Sequence, residues 1–288
     1  MIDLTARLAS EKILVAPGVY DPLSAMIAEQ AGAEAVFVSG AMVAMAQYGL
    51  PDFGLGTASE LVDLVARIVD RVGVPALVDG DQGFGNAAHV QRFVRALARA
   101  GAAAVQIEDQ VAVKPVSMLG SRPLVPIAEM VGKLKAALDA RPSDAFLISA
   151  RTDALSTTDL NDALERAEAY VAAGCDLLFV EGVRTRMQAD AIVAHFGARI
   201  PLVHNLLESG GSPYGDAAEA EKAGFALAFF PASGLGAAAD GLRAAYAAIV
   251  RDGGTQTLRA RMSSFSELND IVGTAAFSER LGHYGDPQ

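Results

Sequence analysis

The chain has one cysteine, Cys175, so it cannot form an internal disulfide bond. A lone cysteine is consistent with a reducing cytoplasm, and its place at the start of an apolar run predicts a small buried core residue. Basic residues are scarce: 23 Lys and Arg stand against 34 Asp and Glu, a net charge of −11 without a run of like charges. Because nucleic-acid binding needs a basic face, we do not expect it.

Long apolar segments are also lacking. No apolar run reaches 18 residues, and the N-terminal stretch Met1-Ile2-Asp3-Leu4 has none of the apolar character of a signal peptide. We therefore expect a soluble, cytoplasmic protein that has no membrane partner.

Short apolar runs alternate with amphipathic stretches along almost the whole chain of 288 residues. Runs that are apolar throughout are typical of parallel strands covered on both faces. Pairs such as Ala100-Gly101 and Ala173-Gly174 mark helix ends. Eight such units predict an α/β fold, a (β/α)₈ TIM barrel. A doubly wound open sheet is disfavoured because no Gly-x-Gly-x-x-Gly opens the first helix. The predicted strands are 13–17, 35–39, 76–81, 104–108, 146–151, 177–181, 202–205 and 227–231.

The predicted domain organisation is a barrel at residues 1–254 followed by a helical extension at 255–288. The extension is expected to contain helices at 255–262, 266–273 and 275–281. It carries more apolar side chains than a free appendage needs, so we expect it to pack on the barrel or on a neighbouring subunit. The connection 110–126 shows no clear structure, and loops of this length in compact domains are often lids over functional sites.

The most informative stretch is Asp79-Gly80-Asp81-Gln82-Gly83-Phe84-Gly85, which follows an apolar run. If the strand extends to Asp81, the two aspartates point to the same side. Two carboxylates held that close need a positive partner, and a hard divalent cation suits oxygen ligands. A turn with solvated aspartates explains this stretch about equally well when it is taken alone.

Polar groups end seven of the eight predicted strands, at the rim where barrel enzymes hold their active sites. Glu108 becomes a third acidic candidate beside the two aspartates. Arg151 offers a planar fork for a carboxylate, and the small residues Ser39-Gly40-Ala41 can present backbone N–H groups to an anion. These neighbours favour the metal-site interpretation of Asp79 and Asp81 over the simple turn.

A series of motifs runs through the chain in a fixed order. It consists of Pro17-Gly18-Val19-Tyr20-Asp21, Val38-Ser39-Gly40, Gly49-Leu50-Pro51-Asp52, Asp79 to Gly85, Ile107-Glu108-Asp109-Gln110, Ala150-Arg151-Thr152-Asp153-Ala154, Phe179-Val180-Glu181, Asn205 and Pro231. Each motif is weak alone. In this order and spacing the series resembles the isocitrate lyase / phosphoenolpyruvate mutase superfamily over roughly residues 5–285, with the greatest likeness to its methylisocitrate lyase-like members.

The resemblance implies a (β/α)₈ barrel and a homotetramer in which the last helix swaps between subunits. It also implies Mg²⁺ as cofactor, with Mn²⁺ as a substitute, bound by Asp79 and Asp81, with Asp52 and Glu108 acting largely through water. The implied substrate is a small anionic 2-oxo or 2-hydroxy acid that chelates the metal beside Asp81. Its carboxylate meets the backbone of Ser39, Gly40 and Ala41, and the shared step is formation of a pyruvate-type enolate.

Other pocket residues are expected around these groups. The resemblance implies that Arg151 and Asn205 help to hold the substrate, and Tyr20 and Ser233 are further candidates. Asp21 either reaches the pocket or caps the next helix.

Strand alternation predicts the direction of three more side chains. It turns His204 away from the site into a packed or hydrogen-bonded position. It also turns Asp109 away from Glu108, and it places Asp153 on the same face as Arg151 as a possible ion-pair partner.

The departures from the superfamily pattern concern the groups that handle protons and anions. The lyases carry a Cys-Gly-His sequence in the mobile loop, where this chain has Val116-Ser117-Met118, and neither valine nor methionine can transfer a proton. The mutase loop pattern is absent too. A threonine of the lyases is replaced by Leu207, and an arginine after strand eight is replaced by Gly236. Fewer anion partners predict a substrate with fewer carboxylates than methylisocitrate.

We therefore predict a metal-assisted lyase that cleaves a carbon–carbon bond of a small 2-oxo or 2-hydroxy acid, in the manner of an oxaloacetate decarboxylase or a methylisocitrate lyase. Glu181 or a metal-bound water is the candidate base, Arg151 stabilises charge, and Lys114, Tyr48 or water returns a proton. We do not expect methylisocitrate or isocitrate to be the true substrate. Phosphonate P–C chemistry and a non-catalytic 2-oxo acid binding protein are the alternatives.

Overall fold

The fold is a closed barrel of eight parallel strands. In the computed structural model of the chain, residues 2–112, 123–208 and 210–285 are described. Each strand pairs with its neighbours in chain order, and the last pairs with the first. The predicted TIM barrel is thereby confirmed. The strands are β1 Leu14–Val19, β2 Val36–Val38, β3 Ala76–Asp79, β4 Ala104–Glu108, β5 Leu147–Thr152, β6 Leu177–Val180, β7 Leu202–Asn205 and β8 Leu227–Phe230.

Helices alternate with the strands and surround them. They are α1 Leu4–Leu8, α2 Pro22–Gln30, α3 Gly40–Val43, α4 Ala58–Val69, α5 Ala87–Arg99, α6 Ile127–Ala140, α7 Ala154–Thr157, α8 Leu160–Ala172, α9 Arg186–Phe196, α10 Ala217–Ala223, α11 Ser233–Asp252, α12 Phe265–Ile271 and α13 Thr274–Gly282. A π-helical turn, Ala44–Tyr48, continues α3, and a 3₁₀ turn covers Gln256–Arg261. No helix in the described part of the chain is long and apolar enough to cross a membrane.

The third strand is shorter than predicted, because it ends at Asp79 rather than at residue 81. Asp81 and Phe84 adopt left-handed backbone conformations, with φ of 46° and 58°. The backbone N–H of Gly80 still donates to the carbonyl oxygen of Gln106, at 2.8 Å. The argument that Asp79 and Asp81 share one face of a strand is therefore wrong, since a turn and not a strand carries the second aspartate.

The interior of the barrel is filled at its amino-terminal end. Leu4 and Leu8 of α1 belong to the same buried cluster as the inward side chains of the strands, so α1 closes this end. Higher in the barrel, the rings of Phe37 and Phe229 stack with centroids 3.9 Å apart, and Phe179 meets Phe229 edge to face. Above this apolar filling, a cavity opens at the carboxyl ends of the strands.

The C-terminal extension contacts the barrel through backbone carbonyls at the C-terminal end of α12. Gln30 of α2 donates to the carbonyl of Ile271 at 2.9 Å, and Arg71 donates to that of Val272 at 2.8 Å. Large apolar side chains on the extension nevertheless stay exposed, among them Phe265 and Leu281.

The long connection after β4 is described only at its two ends. Val111 donates to the carbonyl oxygen of Pro123 at 2.9 Å, and Val125 donates to that of Asp109 at 2.8 Å, so the ends run side by side. The predicted lid lies mostly in residues 113–122, outside the described residues.

Candidate active site

A cavity of about 220 Å³ opens at the carboxyl ends of the strands. Its charged lining, among the described residues, consists of five carboxylates and one guanidinium. They are Asp52, Asp79, Asp81, Glu108, Glu181 and Arg151. Ser39, Ala41 and Asn205 line the same cavity, so nine residues predicted from the sequence meet in one place.

Asp79 and Asp81 converge on Gly40, at the start of α3. A Cβ atom added to Gly40 would lie 3.3 Å from Asp79 Oδ2 and 3.2 Å from Asp81 Oδ1. The backbone N–H of Asp81 donates to Asp79 Oδ1 at 3.3 Å. Burial raises the pKa of Asp79; the positive charge of Arg151 opposes this shift and the negative charge of Asp52 adds to it. The two carboxylates therefore converge as predicted, but a turn brings them together and not a strand.

Arg151 is held by two carboxylates at the end of β5. Its Nε and Nη2 atoms donate to Asp153 at 3.0 Å each, and its Nε lies 3.4 Å from Glu108 Oε2. The predicted ion pair between Arg151 and Asp153 is present. Burial raises the pKa of Glu108 well above its ordinary value, an effect that Arg151 opposes and that the neighbouring aspartates increase. The guanidinium is therefore fixed in orientation before any substrate arrives.

Asp109 points away from the cavity, as strand alternation predicted. Its buried carboxylate accepts hydrogen bonds from the hydroxyl groups of Thr152 and Tyr170 and from the backbone N–H of Asp153. The Arg166 guanidinium also lies 3.3 Å from it. Asp109 therefore connects the ends of β4 and β5 behind the site and is not placed to bind a metal in the cavity.

The acidic groups fit a hard cation with few protein ligands. Within residues 2–112, 123–208 and 210–285 no three His, Cys, Asp or Glu side chains form a ready-made metal cluster. Mg²⁺ does not need one, because it usually retains several waters and takes one or two carboxylates. Two converging, buried carboxylates in a cavity with an excess of negative charge are the donor set that such an ion prefers.

Glu181 and Asn205 stand at the ends of β6 and β7. The side-chain amide of Asn205 donates to Glu181 Oε2, at 3.4 Å. His204, which precedes Asn205 on β7, faces outward and packs against Tyr214 and Phe225, with its Nε2 atom 2.8 Å from the hydroxyl of Ser212. The predicted packed position of His204 is therefore observed.

Three predicted site residues do not line the main cavity, and a fourth lies outside the described residues. Tyr48 ends the π-helical turn and lines a small adjoining cavity together with Gly40, Asp52 and Asp81. Tyr20 and Ser233 instead border a groove next to α2, where the Ser233 hydroxyl contacts Glu208. Asp21 caps α2 through the backbone N–H of Ser24. Lys114 is among the residues that the structure does not describe.

Sequence reasoning missed the floor of the cavity. Gln106 and the rings of Phe37, Phe179 and Phe229 line it. The strand period was a usable signal for the first of these residues, since Gln106 stands two residues before Glu108 on β4 and must share its face.

Fold and site together define a barrel enzyme whose mouth is acidic and suited to a divalent cation. The chain belongs to the phosphoenolpyruvate phosphomutase family, whose sequence pattern matches residues 4–250. It is 36% identical to 2,3-dimethylmalate lyase of Eubacterium barkeri over 96% of this chain and 95% of that one. It is 37% identical to 2-methylisocitrate lyase of Salmonella typhimurium, over 96% and 93%.

Solved structures of the same superfamily superpose over almost the whole chain. Oxaloacetate acetylhydrolase in complex with 3,3-difluorooxalacetate has a TM-score of 0.92 at 29% identity, with 99% of this chain and 97% of that one covered. Phosphonopyruvate hydrolase in complex with oxalate and Mg²⁺ has a TM-score of 0.88 at 30% identity, with 99% and 98% covered. The predicted membership of the isocitrate lyase / phosphoenolpyruvate mutase superfamily, and the class of lyase enzyme, are confirmed by these relatives.

Proposed function

We propose that the protein is a Mg²⁺-dependent lyase that cleaves a carbon–carbon bond of a small 2-hydroxy or 2-oxo dicarboxylic acid. A 2-oxo acid that loses CO₂ leaves a pyruvate-type enolate, whereas a 2-hydroxy acid gives a 2-oxo acid and a carbanion on the departing carboxylate fragment. The preferred substrate is an alkyl-substituted 2-hydroxy dicarboxylic acid. The observation that carries the proposal is the convergence of Asp79, Asp81 and Glu108 on one cavity that also holds the fixed guanidinium of Arg151.

Asp79 and Asp81 are the proposed direct ligands of Mg²⁺ or Mn²⁺, with Asp52 and Glu108 acting through water. When bound, the ion supplies positive charge that stabilises a negative oxygen at C2, which is the alkoxide of a 2-hydroxy acid or the enolate oxygen formed from a 2-oxo acid. The buried carboxylates would fix the position of the cation. Each carboxylate lies close to another negative charge, so a cation between them would stabilise their ionised forms.

The substrate carboxylate is proposed to lie against the backbone of Ser39, Gly40 and Ala41, where the absent Gly40 side chain leaves room. Arg151 faces it across the cavity with two of its nitrogen atoms already bound to Asp153. Such a preset guanidinium stabilises negative charge without reorganising during the reaction. Asn205 adds a neutral donor and orients Glu181.

Glu181 is the proposed base. For a 2-hydroxy acid it takes the hydroxyl proton as the carbon–carbon bond breaks, and the electron pair of that bond passes to the departing fragment. A proton must then return to the carbanion-like carbon. Burial raises the pKa of Tyr48, so its phenol is protonated at neutral pH and is one donor; Lys114 and water are the others.

The charge of the cavity favours a dicarboxylic substrate over a tricarboxylic one. Arg151 is the single cationic side chain in the described lining, and Leu207, Phe53 and Phe179 supply apolar surface beside it. One carboxylate at the metal and one near Arg151 are the anions that this lining can neutralise. The similarity to 2,3-dimethylmalate lyase supports the same size and charge of substrate.

The assembly is proposed to be a cytoplasmic homotetramer in which the C-terminal helices pack on a neighbouring subunit. Helix α11 supports this proposal, because it exposes Leu242, Tyr246, Ile249 and Val250 although it is the eighth barrel helix. Exposed apolar side chains in such a row are typical of subunit interfaces. Light scattering is expected to give four times the 29.8 kDa chain mass, and a monomer would refute the proposal.

The test is pyruvate release with Mg²⁺ from 2,3-dimethylmalate, methylisocitrate, oxaloacetate and phosphonopyruvate. We expect the highest kcat/KM with 2,3-dimethylmalate, and complete loss of turnover on chelation with EDTA or in Asp81→Asn. Asp240→Asn, an exposed change on α11, serves as the matched control. Turnover only of phosphonopyruvate would replace the lyase by P–C chemistry. No turnover of any compound, with Mg²⁺-dependent oxalate binding retained, would replace it by a 2-oxo acid binding protein.

A further inference from the structure

Two polar side chains stand on neighbouring strands at the floor of the candidate active site: Gln106 lines the cavity, and Ser149 lies next to it on the adjoining strand. Gln106 of β4 pairs in register with Ser149 of β5 on one side and with Asp79 of β3 on the other. Gln106 stands two residues before Glu108, and Ser149 stands two residues before Arg151, so strand alternation turns both toward the barrel interior. Their exposed fractions are only 3% and 4%.

Both side chains lack hydrogen-bond partners among the described residues. This holds for the amide nitrogen and the amide oxygen of Gln106 and for the hydroxyl of Ser149. Leaving a buried polar group without a partner costs roughly 1–3 kcal/mol, and an apolar side chain at either position would avoid that cost. The surrounding rings of Phe37, Phe179 and Phe229 show that this layer of the barrel accommodates apolar groups. A partner from outside the chain explains the two polar residues better than packing does.

The charge around the floor restricts the chemistry of that partner. Asp79 and Glu108 lie next to Gln106, so a carboxylate group of the ligand would meet like charges there. A neutral amide and a hydroxyl both donate and accept hydrogen bonds. They match a neutral oxygen that also does both, such as an alcohol hydroxyl or a water molecule.

We propose that Gln106, with the Ser149 hydroxyl beside it, forms a polar subsite that binds one uncharged oxygen at the floor of the cavity and contributes to substrate choice. This inference rests on the proposed function, because it assumes that a 2-oxo or 2-hydroxy acid enters the cavity. The oxygen is either a hydroxyl of the substrate or an ordered water that the substrate contacts. The partner group is uncharged, which separates this subsite from the carboxylate contacts of Arg151 and Ser39.

The test measures binding of malate, which carries a hydroxyl, and of oxalate, which carries none, by calorimetry with saturating Mg²⁺. Gln106→Met keeps the length of the side chain and removes its hydrogen-bonding groups. Loss of one uncharged hydrogen bond is expected to weaken binding by about 10-fold. Selective weakening of malate assigns the oxygen to the substrate, and equal weakening of both ligands assigns it to water. Ser149→Ala is expected to act in the same direction.

The thermal stability of the ligand-free protein distinguishes a ligand-binding role of Gln106 from a structural one. Removing an unpartnered amide is expected to leave the Tm of ligand-free Gln106→Met equal to or above that of the parent protein. A lower Tm together with weaker binding would overturn the proposal, as would malate and oxalate affinities within about two-fold of the parent in both variants. Tyr214→Phe is the control, since its buried hydroxyl also lacks a described partner but lies outside the cavity. If the parent itself binds neither ligand with Mg²⁺, the proposed function fails instead.

Discussion

The hydroxyl group of Tyr170 on α8 donates a 2.7 Å hydrogen bond to the carboxylate of Asp109. Both side chains are completely buried. The same carboxylate accepts from the hydroxyl of Thr152, at 2.8 Å, and from the backbone N–H of Asp153, at 3.0 Å. Since Asp153 holds Arg151 from the other direction, Tyr170 supports the site through a chain of hydrogen bonds that begins outside the barrel.

Replacement of Tyr170 by phenylalanine tests this support. Tyr170→Phe removes one donor from a buried carboxylate, so we expect the free energy of unfolding to fall by ~1–3 kcal/mol. Urea denaturation followed by circular dichroism measures it. The matched control is Tyr214→Phe, whose buried hydroxyl has no described hydrogen-bond partner, so that a change within ~0.5 kcal/mol is expected. Equal stability of the two variants would show that Asp109 does not depend on the Tyr170 hydroxyl.

A side chain at Gly40 is expected to impair ligand binding, because it would occupy the space between the backbone and the two aspartates. The backbone of Gly40 is not strained, but a Cβ atom would stand 3.2–3.3 Å from the Asp79 and Asp81 carboxylates. Gly40→Ala therefore places a methyl group where a cation and the substrate carboxylate are proposed to lie. We expect at least ~10-fold weaker Mg²⁺-dependent oxalate binding, since loss of about 1.4 kcal/mol corresponds to that factor.

The matched control for Gly40→Ala is Gly132→Ala in the middle of α6. A Cβ atom at Gly132 meets nothing within 4 Å. Because alanine favours helix over glycine, this variant is expected to be more stable by ~0.5–1 kcal/mol and to bind oxalate normally. Unchanged oxalate binding in Gly40→Ala would place the ligand away from the aspartates.

The barrel was predictable from the sequence because its signals are local. Short apolar runs that end in polar residues gave all eight strands, and the glycines after the helices gave their ends. The convergence of Asp79 and Asp81 was predicted for the wrong reason. Only the tertiary structure shows that residues 80–85 form a turn, since the left-handed conformations of Asp81 and Phe84 have no sequence signature as clear as a glycine.

Side chains that approach from distant parts of the chain were the harder part of the site. The sequence placed Tyr20 and Ser233 at the pocket because they follow strands, whereas the structure places both along a groove beside α2. Their direction depends on how α2 and α11 leave the barrel, which no local pattern encodes. Gln106 was missed for another reason: a single polar residue inside an apolar strand was read as part of the strand and not as a feature of its face.

Arginine at position 151 is expected to be irreplaceable by lysine. The Arg151 guanidinium uses Nε and Nη2 to bind Asp153 in a fork, which a single ammonium group cannot reproduce. We expect Arg151→Lys to reduce kcat/KM by at least about 100-fold, as loss of a preorganised hydrogen-bond donor in an active site typically does, although the positive charge is retained. Steady-state pyruvate release measures it. Arg186→Lys is the control, because Arg186 makes an exposed ion pair with Glu219. Activity within about three-fold of the parent in Arg151→Lys would show that catalysis does not need the fork between Arg151 and Asp153.

The buried His204 is expected to make folding stability depend on pH in mildly acidic solution. Burial lowers the pKa of His204 to about 4, whereas an unfolded histidine has a pKa of about 6.5. Between these values the unfolded chain binds a proton that the folded chain does not, so stability falls as the pH falls from about 6.5 towards 4. The loss is at most ~3 kcal/mol for this one group, and it is complete only at the lower end of that range.

The comparison of the parent with His204→Gln isolates this contribution, because the many carboxylates of the chain titrate equally in both. Glutamine retains a donor for the Ser212 hydroxyl, which lies 2.8 Å from His204 Nε2, but it does not titrate. Urea unfolding at pH 7 and at about pH 4.5 should show a smaller loss of stability in His204→Gln than in the parent. If His204→Gln and the parent lose the same amount, His204 takes up its proton in the folded state, and the outward packing against Tyr214 and Phe225 does not keep it neutral.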